Sequence, residues 1–361
     1  MQVPKSKKNL IPKFPKPNLQ NLTPPLILTP KIRKTLDIAT RLVIAALSLS
    51  YIFYRIYAFP AGQVNAFFES VLSGNNVIYI SSALIILMVI NWGIESLKWK
   101  LLISQAEKVS LGTSYEAILG GLAVSIFTPN RVGEFLGRVF ILKKTDPIKA
   151  ILLTIVGSFS QLLVTVVTGT IAYLFFAPRY LSSLMSDSTW LVSGFSFTLV
   201  TVSLFSVFFF FNISALHRIS ILIPKKYSKR IRSSIDAMAD SPKPLLLKAV
   251  FLSLLRYLVF STQFYLAIIL MGLNFTFVQC MLVIPVIYLV LAAIPTIALA
   301  ELGVRGSVSV FLFGVLTAPG VLDAEATLAV VSASTLIWFL NIAIPSLAGV
   351  FVIFRLKFFR R

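Results

Sequence analysis

Long apolar runs separated by short polar stretches make up most of the chain. The runs at about 36–57, 77–99, 148–176, 190–211, 245–271 and 327–354 are each long enough to cross about 30 Å of hydrocarbon as helix. Two regions break the pattern. In the first, apolar arms at 114–128 and 131–142 are too short to span and flank Thr-Pro-Asn-Arg-Val-Gly-Glu-Phe-Leu-Gly-Arg (128–138). In the second, 277–299 is interrupted by Pro285 and Pro295 and ends in Ala-Glu-Leu-Gly-Val-Arg-Gly (300–306), followed by a short apolar arm at 307–316.

Proline removes a backbone donor and disfavours helix in the preceding residue, so breaks are expected at Pro129 and Pro295. Beyond each break, Glu134 and Arg138, and again Glu301 and Arg305, are four positions apart, the spacing that pairs side chains on one helical face. Gly133 and Gly137 allow another backbone to approach closely, and with Gly303 in the second region they are expected, like Pro129 and Pro295, to mark hinges or breaks. Charges at lipid depth are costly and normally face a bundle interior or a wet cavity.

The charges between the runs set an orientation. Lys5, Lys7, Lys8, Lys13, Lys16, Lys31, Arg33 and Lys34 precede the first run without an acid, and Tyr51, Tyr54 and Tyr57 near its far end read as interfacial anchors. Lys98 and Lys100, the basic stretch 213–248, and Arg355 to Arg361 mark further cytoplasmic ends. Glu69, the uncharged turn at 272–276, and Asp323 with Glu325 suit the outer side. Both termini are then expected in the cytoplasm, with the chain in the cell (inner) membrane. The first broken region has basic, cytoplasmic flanks and the second has outer ones, so an inverted repeat is expected. The expected fold is therefore an all-α polytopic membrane protein of about six spanning helices plus two re-entrant or broken helical hairpins. Eight crossings is the alternative. The domains expected are a basic, proline-rich tail (1–34), a membrane domain (35–356) containing the basic loop 213–248, and a basic tail (357–361).

Composition agrees with the pattern: 57% of the 361 residues are hydrophobic, too many for a soluble domain of this length. The net charge of +20 lies in tails and loops, which points to topology and anionic lipid headgroups, not nucleic acid. The 30 Phe and 11 Tyr read as lipid-facing and interfacial surface. One cysteine, Cys280, and one histidine, His217, cannot supply a disulfide framework, a Cys/His zinc site or a Ser-His-Asp triad at membrane depth. No catalytic residue, metal or cofactor is assigned, and no Gly-x-x-x-x-Gly-Lys-Ser/Thr run is present.

The run at 128–138, together with Leu-Gly-Val-Arg (302–305), resembles the two signatures of the lysylphosphatidylglycerol synthase transmembrane-region family, also called flippase-like. The resemblance covers about 36–356. In the family the second signature usually reads Gly-Gly-x-Gly-x-Arg-Glu; here Ala300 and Glu301 stand for the glycines and Gly306 for the final acid. What the resemblance implies is movement of lipid between leaflets, without lysyl transfer.

A lipid headgroup bearing phosphate needs a cation-lined route, and Arg131, Arg138, Arg305 and Arg256 are the candidates, with Glu134 and Glu301 holding the arginines until substrate competes. An anionic phospholipid or lipid phosphate is the expected partner, with a second copy of the chain as a further candidate. A membrane transferase using Glu134, Glu301 or Asp146 as base is the runner-up. A scaffold docking a cytoplasmic partner on 213–248 is the third reading.

Overall fold

In the computed structural model of the chain, the described residues are 50 and 61–355, except 127, 129, 130, 143, 182–188, 216–233, 237, 296, 297, 318 and 319. The basic tails, the expected first helix at 36–57, most of the basic loop, His217, Pro129 and Asn130 lie outside them.

The described residues form helices and no strand. In chain order the helices are α1 (Ala61–Leu72), α2 (Val77–Ile103), α3 (Leu111–Ser125), α4 (Gly133–Val139), α5 (Pro147–Phe176), α6 (Thr189–Phe211), α7 (Lys243–Leu270), α8 (Phe277–Ala293), α9 (Ala298–Val315), α10 (Ala324–Trp338) and α11 (Ile344–Arg355). A π-helical turn at Ala177–Leu181 extends α5, and another at Phe339–Ala343 joins α10 to α11. Pro345 lies two residues beyond that turn, so the missing proline donor falls next to a local change of helical register. Five helical stretches among the described residues are long and apolar enough to cross a membrane: 77–103, 147–181, 190–211, 243–270 and 324–354. The chain is an all-α polytopic membrane protein.

Local chemistry sets the helix ends. The Asp146 carboxylate accepts the Ile148 N–H at 2.8 Å, and Pro147 occupies the first turn of α5, where its absent donor leaves no bond unmade. Thr276 and Gln279 form a reciprocal capping box at the start of α8. The Asp323 carboxylate accepts the Ala326 N–H at 2.7 Å to begin α10. On α6, Trp190, Phe197, Leu204, Phe205 and Phe208 project outward, as a helix facing lipid requires.

Three expectations change. Residues 61–72, read as loop, form α1, because Val64, Phe67 and Val71 recur at helical spacing and pack on the apolar core. Pro285 does not interrupt the chain; it sits inside α8, and only Pro295 lies in a break, between Ala293 and Ala298. The neighbouring helix explains this. A Cβ on Gly169 of α5 would stand 2.7 Å from Leu289 Cβ and 3.0 Å from the Pro285 carbonyl, so α5 closes directly over the bend. Third, Gly303, expected to mark a hinge, lies inside a helix: the charged motif at 300–306 forms the early turns of α9, continuous with the arm at 307–315.

The strongest packing partners are reciprocal. The helix α2 lies along α7, α3 packs on α11, and α8 packs on α5. Within the first broken pair, α3 and α4 fold back on each other, and a Cβ on Gly137 would meet Gly121 Cα at 2.6 Å. The main apolar core, including Phe264, Ile284, Phe313 and Val330, joins α7, α8, α9 and α10.

Candidate functional site

Two clusters of charge involve the broken pairs. The first centres on Glu95 in α2, whose side chain is 5% exposed. Its Oε2 is 2.8 Å from Lys98 Nζ and 3.1 Å from Arg256 Nη1 of α7, and its Oε1 accepts from both terminal nitrogens of Arg138 at 3.1 Å. Arg138 also pairs with Glu134 one turn back on α4. Lys98 donates to Ser253 Oγ at 3.1 Å, and Ser253 and Ser160 hydroxyls lie 2.8 Å apart. A charge buried this deeply is tolerable only when its partners surround it, and removing one partner leaves the others uncompensated.

The second cluster centres on Glu301 at the start of α9. Its Oε2 accepts from Arg131 Nη2 at 2.6 Å and its Oε1 from Arg305 Nη2 at 2.7 Å. One carboxylate thus joins the two broken pairs across 170 positions of sequence. Arg131 adopts φ of 55°, in the left-handed region that a non-glycine residue enters at a cost of about 1–3 kcal/mol and that concentrates at functional sites. The local chain supports it: the Thr128 hydroxyl accepts the Gly133 N–H at 2.8 Å, and the Thr128 carbonyl accepts the Arg131 N–H at 3.3 Å.

A cavity of about 260 Å³ lies where these clusters meet. Arg131, Arg256 and Arg305 line it, one from each of three elements, beside Asn91, Trp92 and Tyr288. No carboxylate is among its described lining residues. The Arg256 guanidinium stands over the Trp92 ring at 4.8 Å and that of Arg305 over Tyr288 at 5.7 Å, contacts that fix the donor planes. Asn91 accepts from Arg256 Nε at 3.0 Å and donates to Asn341 Oδ1 at 2.8 Å, tying α2 and α7 to the turn before α11. Planar, permanently charged donors in a partly apolar pocket suit a phosphate or carboxylate. A second cavity, of about 560 Å³, lies at the other end of α2 and α7; its charged lining residues are Asp323 and Glu325, with no basic side chain among those described.

The sequence-derived candidates therefore divide. Arg131, Arg256 and Arg305 line the cavity; Glu301 braces two of them; Glu134 and Arg138 belong to the closed cluster and are not among the lining residues. Gly133 and Gly137 mark close backbone approaches, Gly303 is buried in α9, and Pro295 lies in the break before it. Asp146 caps α5. Sequence reasoning missed Glu95, Lys98 and Asn91. A signal was present, since positions 91, 95 and 98 set polar groups on one face of an otherwise apolar helix. Cys280 is buried and free.

Comparison with protein-family profiles matches residues 38–349 to the lysylphosphatidylglycerol synthase TM region. Comparison with curated proteins and with solved structures gives no match.

Proposed function

The chain belongs to the lysylphosphatidylglycerol synthase TM-region family, and we propose that it moves an anionic phospholipid or polyprenyl-linked lipid between leaflets. The headgroup passes through the cavity lined by Arg131, Arg256 and Arg305 while the acyl chains remain in hydrocarbon. The observation that carries this reading is the cavity itself: three arginines, from the connection before α4, from α7 and from α9, line a space that no described carboxylate lines. Glu301 gives up its hold on Arg131 and Arg305 as the substrate's anion replaces it. Water-filled, cation-lined passages of this kind are where ionisable groups earn a role at membrane depth.

The packing supports a transporter architecture. In an inverted repeat, α2 corresponds to α7, α3/α4 to α8/α9, and α5 to α10/α11. Equivalent helices then pack together and broken pairs exchange partners, as α2 does with α7, and as α3 with α11 mirrors α8 with α5. The Arg131–Glu301 pair and the Glu95–Arg256 pair both cross between the halves, so rocking one half against the other breaks or makes both.

The test is leaflet-resolved transport of a fluorescent anionic phospholipid in proteoliposomes, read by dithionite quenching. Wild-type vesicles are expected to expose the inner-leaflet probe faster than empty ones. Arg305→Gln is expected to lose that excess, and unchanged transport by this variant would make the arginines structural.

A further inference from the structure

Resting on that reading of the cavity, we infer that the lipid it takes carries a doubly charged phosphate headgroup, a phosphomonoester or a diphosphate, in preference to a singly charged phosphodiester. The first observation is a charge inventory. The two ion-paired clusters contain Lys98, Arg131, Arg138, Arg256 and Arg305 against Glu95, Glu134 and Glu301, five cations to three carboxylates. The surplus is divided evenly. Glu95 and Glu134 face three cations, and Glu301 faces two, so each cluster has one positive charge in excess.

That surplus is turned toward the cavity. The three cations that line it are Arg131, Arg256 and Arg305, and none of the three carboxylates does. Uncompensated charge inside a low-dielectric bundle is costly, and a bound counter-charge is what removes the cost. A zwitterionic lipid leaves two charges unmatched and a phosphodiester leaves one. A dianion balances both clusters at once.

The second observation concerns donors. Arg305 is nine-tenths buried, and its Nε–H has no protein acceptor; the same holds for the indole N–H groups of Trp92 and Trp338. All three residues line the cavity. Buried donors almost always have partners, and three unpaired ones among the residues that line the cavity favour a ligand rich in acceptors. A terminal phosphate offers three acceptor oxygens where a phosphodiester offers two unsubstituted ones. Stacking on Trp92 and Tyr288 holds the Arg256 and Arg305 planes in place, so little ordering is needed on binding.

Affinities of short-chain ligands for the purified full chain in detergent test the inference. The probes are dioctanoyl phosphatidic acid, phosphatidylglycerol and phosphatidylcholine, with geranylgeranyl diphosphate and inorganic diphosphate as competitors. At about pH 8 phosphatidic acid is expected to bind at least about tenfold tighter than phosphatidylglycerol, the worth of one further charge-assisted contact. The preference should shrink at about pH 5, because a phosphomonoester regains its second proton near pH 6. In Arg305→Gln the ratio of the two affinities should fall toward one, a readout independent of how much variant folds. Geranylgeranyl diphosphate should displace phosphatidic acid better than inorganic diphosphate does. Equal affinity for the two anionic lipids at both pH values would overturn the dianion while leaving an anionic lipid site intact. Displacement by inorganic diphosphate as effective as by its lipid form would overturn the lipid. No anionic lipid binding above phosphatidylcholine would remove the proposed function as well.

Discussion

The Glu95 and Glu301 clusters are built from the same chemistry and differ in what closes them. Around Glu95, Lys98 and Arg138 are 1% and 3% exposed, and every charge faces another protein group. Around Glu301, the Arg131 side chain is 33% exposed and the residue lines a cavity. Arg256 belongs to both, holding Glu95 through Nη1 and Asn91 through Nε while counting among the residues that line the cavity. The difference teaches that buried ion pairs of like chemistry can be closed on every side or open to a cavity. The first cluster joins α2, α4 and α7; the second leaves Arg131 and Arg305 beside an open cavity, which is why the proposed site is placed there.

The comparison breaks most severely at its hub. Glu95→Gln leaves Lys98, Arg138 and Arg256 buried without their shared carboxylate, and a loss of about 3–5 kcal/mol is expected. Thermal unfolding in detergent would show it as a lowered midpoint or lost folded yield, whatever lipid is present. Arg305→Gln should behave in the opposite sense. Its partner Glu301 keeps Arg131, so the fold persists, while transport in proteoliposomes should fall about ten- to a hundredfold. If the two variants exchanged phenotypes, the contrast between closed cluster and open site would be reversed.

Smaller changes sharpen the picture of the packing. Gly137→Ala places a methyl 2.6 Å from Gly121 Cα and should cost about 1–3 kcal/mol by forcing α3 and α4 apart. Since Glu134 and Arg138 are carried on α4, transport should decline in step with stability, not ahead of it. Ser203→Ala removes only the 2.8 Å hydroxyl contact with Thr170 between α6 and α5, with an expected loss of about 0.6 kcal/mol and no change in transport.

How much of this was legible beforehand depends on the range of the interaction. The pairs Glu134–Arg138 and Glu301–Arg305 follow from helical spacing alone, and both form. The break near Pro295 and the one between Ser125 and Gly133 likewise follow from backbone chemistry. The same chemistry misjudged Pro285, because what permits a proline inside a helix is the neighbour that covers it, here α5 at Gly169. The Arg131–Glu301 bridge could not be read from spacing, since the residues are 170 apart. The second partner of Arg138 escapes spacing for a related reason: Glu95 lies in another helix. Glu95 itself is visible as an acid within an apolar run, three residues before Lys98.

The central claim is that anionic headgroups visit the Arg131, Arg256 and Arg305 cavity. The most direct measurement is photocrosslinking of a headgroup-activatable anionic lipid in proteoliposomes of the full chain, with labelled peptides identified by mass spectrometry. Label on the cavity wall, in the segments holding Arg131, Tyr288 and Arg305, is the predicted result, and it should be competed by unlabelled anionic lipid. Label confined to the outward face of α6, with the cavity wall unmarked, would contradict the account.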